Sequence, residues 1–190
     1  MIEVKRETKE TQISVKLNLY GSGKANINTG VGFYDHMLEA FTKHAHNDMD
    51  VHCTGDTHID DHHTVEDVGI VIGQALKQAI YPVQSIERFG NATVVMDEAS
   101  VTCDIDLSNR GYLVFELPIG GKVGDFDVEL VEEFFKAFAF NLPLTLHLIY
   151  NRGTNKHHII EGAFKALAVA LRRAVTINEN AGIPSTKGVL

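Results

Sequence analysis

The chain has 190 residues, 44% of them hydrophobic and 22% charged, an ordinary globular composition with enough apolar residues for a buried core. Its formal charge of −8 argues against non-specific nucleic-acid binding, because it implies no broad basic surface. No apolar run reaches membrane-spanning length and the first residues lack the apolar region of a secretory signal, so we expect neither a membrane protein nor a secreted one.

The sequence pattern of the first half of the chain predicts, in order, two strands, a helix, a strand and a second helix. Apolar residues alternate in "TQISVKLNLY", as in a strand with one buried face, and "GSGK" is a turn signal. The stretch "INTGVGFYDHMLEAFTKHA" places Phe33, Met37, Leu38 and Phe41 on one helical face. "DMDVHCTG" alternates again, and "TVEDVGIVIGQALKQAI" has the apolar spacing of a second helix.

The second half repeats this order. Three stretches are predicted to be strands: "ASVTCDIDLSNR", "GYLVFELPIG" and "LTLHLIYN". A helix, "ELVEEFFKAFAF", is predicted before the last of these strands, and a second helix, "IIEGAFKALAVALRRAV", after it. The sequence therefore predicts two half-repeats, 1–86 and 87–190, packed together as one unit. Each half is predicted to be an α+β unit in which two helices cover one face of a small sheet, and we expect the halves to pack sheet to helix.

The chain contains only two cysteines, Cys53 and Cys103. Each lies in an alternating, strand-like run, so both are predicted to be buried thiols. Free buried thiols suit a reducing compartment better than a disulfide-linked scaffold, so we expect a cytoplasmic protein.

A histidine-rich motif occurs once in each half, at the same place in the repeat. In "DHHTVED", His62 and Glu66 lie four residues apart at the start of a predicted helix, so they can converge on one ion. The neighbouring His63 points roughly 100° away around an ideal helix, which predicts that it serves a different ion. The second motif, "NKHHIIEG", supplies the equivalent residues His157, His158 and Glu161.

Imidazole and carboxylate ligands without cysteine favour a divalent transition metal such as manganese, iron, nickel or zinc. One such motif at a helix start is more commonly a surface feature, but its recurrence at equivalent positions favours metal binding. The repeat alignment also pairs His36 with Glu133 and Glu10 with Glu98.

Several stretches carry a resemblance to a known family. They include "GVGFYDHML", "DDHHTVEDVGI", "LVEEFF", "HHIIEGAFKALAVALRRA" and "PSTKG", and with these the chain resembles the imidazoleglycerol-phosphate dehydratases of histidine biosynthesis from about Lys5 to Gly188. The resemblance implies a tandem duplication with a four-stranded sheet and two helices in each half, similar to the second domain of ribosomal protein S5 (ribosomal protein S5 domain 2-like). It also implies a homo-oligomer of 24 subunits with active sites shared between subunits.

The resemblance further implies two manganese ions (Mn²⁺) per active site and no organic cofactor. The metal ligands of the family fall on His36, His62, His63, Glu66, Glu133, His157, His158 and Glu161. Many members have histidine at the position of Glu133, and the repeat alignment of Glu133 with His36 favours a ligand role for it. Many members also have glutamine at the position of Ala40, so that substrate contact is missing or replaced here.

The resemblance assigns the remaining site residues as well. Candidates for catalysis are Glu10, Glu161 and His44. Candidates for substrate binding are Glu10, His36, His44, Arg88, Arg110, Lys165, Ser185, Thr186 and Lys187. A dianionic phosphate needs charge-assisted donors, which agrees with the basic residues in this set. We also expect the C-terminal tail to act as a lid over the substrate.

The implied reaction is the dehydration of D-erythro-imidazole glycerol phosphate, a small phosphorylated imidazole, to imidazole acetol phosphate and water. Two ions could bind both ring nitrogens and stabilise an imidazolate form, which would explain why the motif is duplicated. Two other classes stay open on the residues alone: a two-metal phosphoester hydrolase, and a metal-storage or metal-delivery protein without turnover. Release of inorganic phosphate would favour the first, and metal-loaded but inert protein the second.

Overall fold

The order of strands and helices repeats along the chain in a computed structural model that describes all 190 residues. The first part contains β1 (Ile2–Glu7), β2 (Thr11–Asn18), β3 (Ala25–Asn28), α1 (Gly32–Ala45), β4 (Asp48–Gly55) and α2 (His62–Ile80). The second part contains β5 (Phe89–Met96), β6 (Ala99–Asp106), β7 (Tyr112–Glu116), β8 (Lys122–Val123), β9 (Phe126–Asp127), α3 (Leu130–Asn141), β10 (Thr145–Arg152) and α4 (Lys156–Ala174).

Two four-stranded sheets have the same topology. Their strand orders are β1-β2-β4-β3 and β5-β6-β10-β7. In the first sheet β4 runs antiparallel to β2 and parallel to β3, and in the second β10 runs antiparallel to β6 and parallel to β7. The predicted fold class, a duplicated α+β half-domain with four strands in each sheet, is confirmed.

The sequence pattern predicted two strands before the first helix, but the structure has three. The edge strand β1 alternates Ile2 and Val4 with charged residues, and the other edge strand, β3, has only four residues. Short or charged strands are typical of sheet edges, where little apolar surface is buried and the sequence signal is weak. The edge strand β5 and the small hairpin of β8 and β9 were also not predicted.

The helices cover one face of each sheet and join the two halves. Helices α1 and α2 contact the first sheet, and α3 and α4 contact the second. The halves meet helix to helix, with α1 against α4 and α2 against α3. The expected sheet-to-helix packing is therefore wrong, because the apolar faces of all four helices merge into one core cluster of 50 buried residues. Within it the rings of Phe134 and Phe164 stack at 4.9 Å between centroids.

Two further expectations concern the cysteines and membranes. Cys103 is buried as predicted, whereas Cys53 is only half-buried. Burial nevertheless raises the pKa of the Cys53 thiol to about 11. None of the helices combines the length and the apolar character needed to cross a lipid bilayer.

Candidate active site

Three candidate ligands from two helices converge at the contact between α1 and α4. Nε2 of His157 lies 3.0 Å from Oε2 of Glu161, and Nε2 of His36 lies 3.4 Å from the same oxygen. The ligand atoms of all three residues lie within 4.8 Å of one another. Glu161 is 7% exposed, so its carboxylate faces the two imidazoles rather than solvent. Two imidazoles and one carboxylate form a donor set that suits a divalent transition metal.

The local sequence places each motif at the start of a helix. Oδ1 of Asn155 accepts hydrogen bonds from the backbone N–H groups of His157 and His158, at 3.0 and 3.4 Å. In the first motif Oδ1 of Asp60 accepts from the backbone N–H of His62 at 2.9 Å. Asparagine and aspartate favour such positions because they satisfy N–H groups that have no partner within the helix. The motif histidines therefore begin the helix, and their carboxylates follow one turn later.

A lysine adds a positive charge to this cluster. Nζ of Lys165 donates to Oε1 of Glu161 at 2.7 Å. Burial alone would raise the pKa of Glu161, but Lys165, together with His157 and His36, outweighs it and lowers that pKa below its ordinary value. Burial lowers the pKa of His44, and the neighbouring positive charges of Lys165 and Arg172 lower it further. The cluster thus contains a carboxylate that is ionised and paired with an ammonium group.

The first motif is more open. Nε2 of His62 lies 3.7 Å from Oε2 of Glu66, and the two side chains are 42% and 43% exposed. Glu133, which the repeat alignment pairs with His36, lies on α3, the helix that packs against α2. Within one chain, however, these three residues do not form a second group of converging ligands, since His36, His157 and Glu161 are the only such group.

The second histidine of each motif contacts a different carboxylate from the first. Nδ1 of His63 lies 3.0 Å from Asp56, and its Nε2 lies 3.8 Å from Glu10. Nδ1 of His158 lies 2.8 Å from Glu98. The hydrogen bond that His63 donates to Asp56 raises the pKa of His63, and the hydrogen bond that His158 donates is the main cause that lowers the pKa of Glu98 to about 2. The ring planes of the adjacent histidines are almost perpendicular, at 87° and 78°.

The basic candidates line a separate cavity of about 800 Å³ beside the C-terminal tail. Arg88 donates to both carboxylate oxygens of Asp106, at 2.7 and 3.1 Å, and to the carbonyl oxygen of Pro184 at 2.7 Å. The candidates that line this cavity are Arg88, Arg110, Ser185, Thr186 and Lys187. Lys165 is not among them, because its ammonium group lies on Glu161 instead.

Sequence reasoning missed three carboxylates that contact candidate residues. Asp56 contacts His63, Glu98 contacts His158 and Asp106 contacts Arg88. Glu98 could have been found, because the repeat alignment pairs it with Glu10. Asp56 and Asp106 carried no such signal, since aspartates are common at strand ends and turns.

Comparisons with known proteins identify the family of the chain. The family model described as "Imidazoleglycerol-phosphate dehydratase" matches residues 29–171. The chain belongs to this family. An imidazoleglycerol-phosphate dehydratase from Sulfurovum sp. (strain NBC37-1) is 90% identical over 190 residues, covering 100% of both chains. One from Aliarcobacter butzleri is 68% identical with the same coverage.

Solved structures of imidazoleglycerol-phosphate dehydratases share the fold. The crystal structure from Staphylococcus aureus is 40% identical with a TM-score of 0.83, covering 94% of this chain and 100% of that one. The structure from Pyrococcus furiosus in complex with (S)-C348 is 40% identical with a TM-score of 0.87, covering 98% of this chain and 100% of that one. The predicted family and enzyme class are thereby confirmed: the chain is a hydro-lyase of the dehydration step in histidine biosynthesis.

Proposed function

We propose that the chain dehydrates D-erythro-imidazole glycerol phosphate to imidazole acetol phosphate and water at a site that holds two manganese ions. The observation that carries this proposal is the convergence of His36, His157 and Glu161 from two helices of different halves. A purely structural histidine pair would not require a buried carboxylate from the next helical turn and a third ligand from another helix. The family relationship supplies the substrate class.

The residues present fit manganese. This ion accepts both imidazole nitrogen and carboxylate oxygen, and the cluster offers both without a thiol. When bound, the ions would supply Lewis acidity that stabilises the imidazolate form of the substrate ring. The residues that would hold the two ions are His36, His62, His63, Glu66, Glu133, His157, His158 and Glu161.

The basic cavity is the proposed phosphate site. Arg110 and Lys187 provide positive charge, and Ser185 and Thr186 provide hydroxyl donors, in the lining of the same cavity. Arg88 contributes in a second way, because its bond to the carbonyl of Pro184 ties the tail to the cavity. In an otherwise acidic protein, this local group of cations would select a dianionic ligand.

The reaction breaks a C–H bond at C2 and a C–O bond at C3 of the substrate, and the resulting enol becomes a ketone. Glu10 is the proposed acid–base residue, because its carboxylate is 51% exposed and lies 3.8 Å from His63 rather than in a tight ion pair. Glu161 is a second proton carrier in this proposal. His44, whose pKa is lowered mainly by burial, would form a hydrogen bond with the substrate.

The proposal includes assembly into a homo-oligomer, with 24 subunits, and a cytoplasmic location. The open first motif supports shared sites, since His62 and Glu66 are exposed and lack a third ligand within their own chain. A neighbouring subunit could complete such a half-site.

The test measures manganese per subunit and dehydratase turnover on one purified sample, before and after chelation. We expect chelation to remove both, and added Mn²⁺ to restore both. Turnover that survives complete removal of metal would contradict the metal-dependent mechanism. Release of inorganic phosphate would indicate a hydrolase, and loaded protein without turnover would indicate a storage protein.

Replacing Lys187 by alanine is expected to raise the KM about 10-fold or more, because a charge-assisted hydrogen bond contributes about 1.5–3 kcal/mol. Manganese content should not change, since Lys187 lies in the basic cavity and outside the ligand cluster. Steady-state kinetics and metal analysis measure the two effects. Lys136→Ala is the control, because Lys136 is exposed on α3 and forms no ion pair. An unchanged KM would remove Lys187 from the phosphate site.

A further inference from the structure

Glu98 lies at the tip of the hairpin that joins β5 and β6. Only Asp97 and Glu98 separate the two strands, and Asp97 has a positive φ of 47°, so a tight turn fixes the direction of the Glu98 side chain. The carboxylate reaches the loop that precedes α4. Oε1 accepts hydrogen bonds from the backbone N–H groups of Thr154 and Asn155, at 3.1 and 2.8 Å. Oε2 lies 2.8 Å from Nδ1 of His158.

These contacts determine which nitrogen of His158 carries the proton. An ionised carboxylate only accepts hydrogen bonds, so Nδ1 of His158 must be the donor. In a neutral imidazole Nε2 then has a free lone pair, which is the form that binds a metal. Because Oε1 is already bonded to two backbone N–H groups, the carboxylate cannot turn away without losing them. The His158 side chain, 23% exposed, is thus held at Nδ1, whereas its Nε2 lies 3.8 Å from the exposed carboxylate of Asp97, beyond hydrogen-bond distance.

The first half has a different arrangement at the equivalent positions. There Asp56, not Glu10, contacts Nδ1 of His63 at 3.0 Å. Glu10, which the repeat aligns with Glu98, lies near Nε2 of His63 at 3.8 Å. The same repeat position therefore contacts opposite ring nitrogens in the two halves. Glu98 is tied by three hydrogen bonds, whereas Glu10 has none on its carboxylate, so only Glu10 is free to exchange protons.

We infer that Glu98 is a positioning residue for the metal site: it fixes the tautomer of His158 with the proton on Nδ1 and holds the ring so that Nε2 is available to a divalent metal ion. This inference rests on the proposed metal-dependent function. It assigns to Glu98 a role through His158 and excludes it from proton transfer.

The test is Glu98→Gln in the full-length, assembled protein. A glutamine amide has one accepting oxygen, so it cannot accept both from the backbone N–H groups and from Nδ1 of His158. If the NH₂ group of the glutamine faces Nδ1 of His158, that nitrogen must accept, so the proton of the His158 ring moves to Nε2. We expect Mn²⁺ affinity, measured by equilibrium dialysis at graded free Mn²⁺, to fall about 10–100-fold, as for other partners of metal-binding histidines.

Two controls separate positioning from a general structural role. Glu116→Gln makes the same chemical change at an exposed residue of β7 that forms no side-chain hydrogen bond or ion pair, and it should bind Mn²⁺ like the wild type. The melting temperature of metal-free protein should be similar for wild type and Glu98→Gln. If Glu98→Gln does not fold, Glu98→Asp keeps the charge with a shorter reach and is measured in the same way.

Each outcome decides the question. Weaker Mn²⁺ binding with an unchanged metal-free melting temperature supports the inference. An unchanged binding curve overturns it, and so does a loss of affinity that only parallels a loss of metal-free stability. If the wild type itself binds no Mn²⁺, the proposed function fails first and the inference fails with it.

Discussion

Replacing His157 by alanine is expected to abolish dehydratase turnover and to weaken Mn²⁺ binding by more than about 100-fold, a larger loss than outer contacts of metal ligands produce. His157 shares Oε2 of Glu161 with His36, so its loss leaves a buried carboxylate with one imidazole. The fold should persist, because the side chain is 38% exposed and is not part of the apolar core. Metal analysis and turnover on the same sample measure the effect.

His52→Ala is the control for this prediction. His52 is exposed on the first sheet, where it lies 2.9 Å from Asp50, and a surface ion pair of this kind contributes little stability. The His52→Ala variant should retain its manganese and its dehydratase turnover. Full manganese occupancy in the His157 variant would show that the ligand assignment is wrong.

Replacing Gly90 by alanine is expected to destabilise the fold strongly. Gly90 lies in β5 where this strand crosses α4, and a Cβ atom there would overlap the carbonyl oxygen of Ala170 and approach the backbone nitrogen of Ala174 to 2.9 Å. Both obstacles are backbone atoms, which cannot rotate away. Overpacking of this severity costs about 3 kcal/mol or more, which corresponds to a fall of about 6–12 °C in melting temperature for a chain of this size.

Gly162→Ala is the matched control, because it makes the same change within α4. A Cβ atom at Gly162 would lie 3.6 Å from Cγ2 of Val101, an ordinary contact, and alanine is the better helix former by about 1 kcal/mol. This variant should melt at or above the wild-type temperature. Equal melting temperatures for the two variants would rule out the close approach of β5 to α4.

The helix contacts explain how a duplicated sequence can form paired sites. His36 belongs to the first half but packs with the motif of the second, because α1 contacts α4. Its repeat equivalent, Glu133, belongs to the second half and lies on the helix that contacts α2, which carries the first motif. Each half therefore supplies the helix that faces the motif of the other half. Within one chain the two half-sites differ, because only the half-site that contains the α4 motif brings three ligands together.

Much of the fold could be predicted because its signals are local. The four helices and the inner strands bury one regular face, so their apolar spacing follows the period of the element. The edge strands β1 and β5 and the short strand β3 bury less, and the hairpin of β8 and β9 has only two residues on each strand. Such segments carry little periodic signal, so the sequence did not reveal them.

For the site, the sequence by itself determined the pairs His62–Glu66 and His157–Glu161, because residues four apart share one helical face whatever the rest of the chain does. Only the tertiary structure decided that His36 joins Glu161, that Lys165 pairs with the same carboxylate, and that Glu98 contacts His158. These contacts join elements distant along the chain. They depend on which helices and sheets pack together, and that depends on the shape of the whole core rather than on any local spacing.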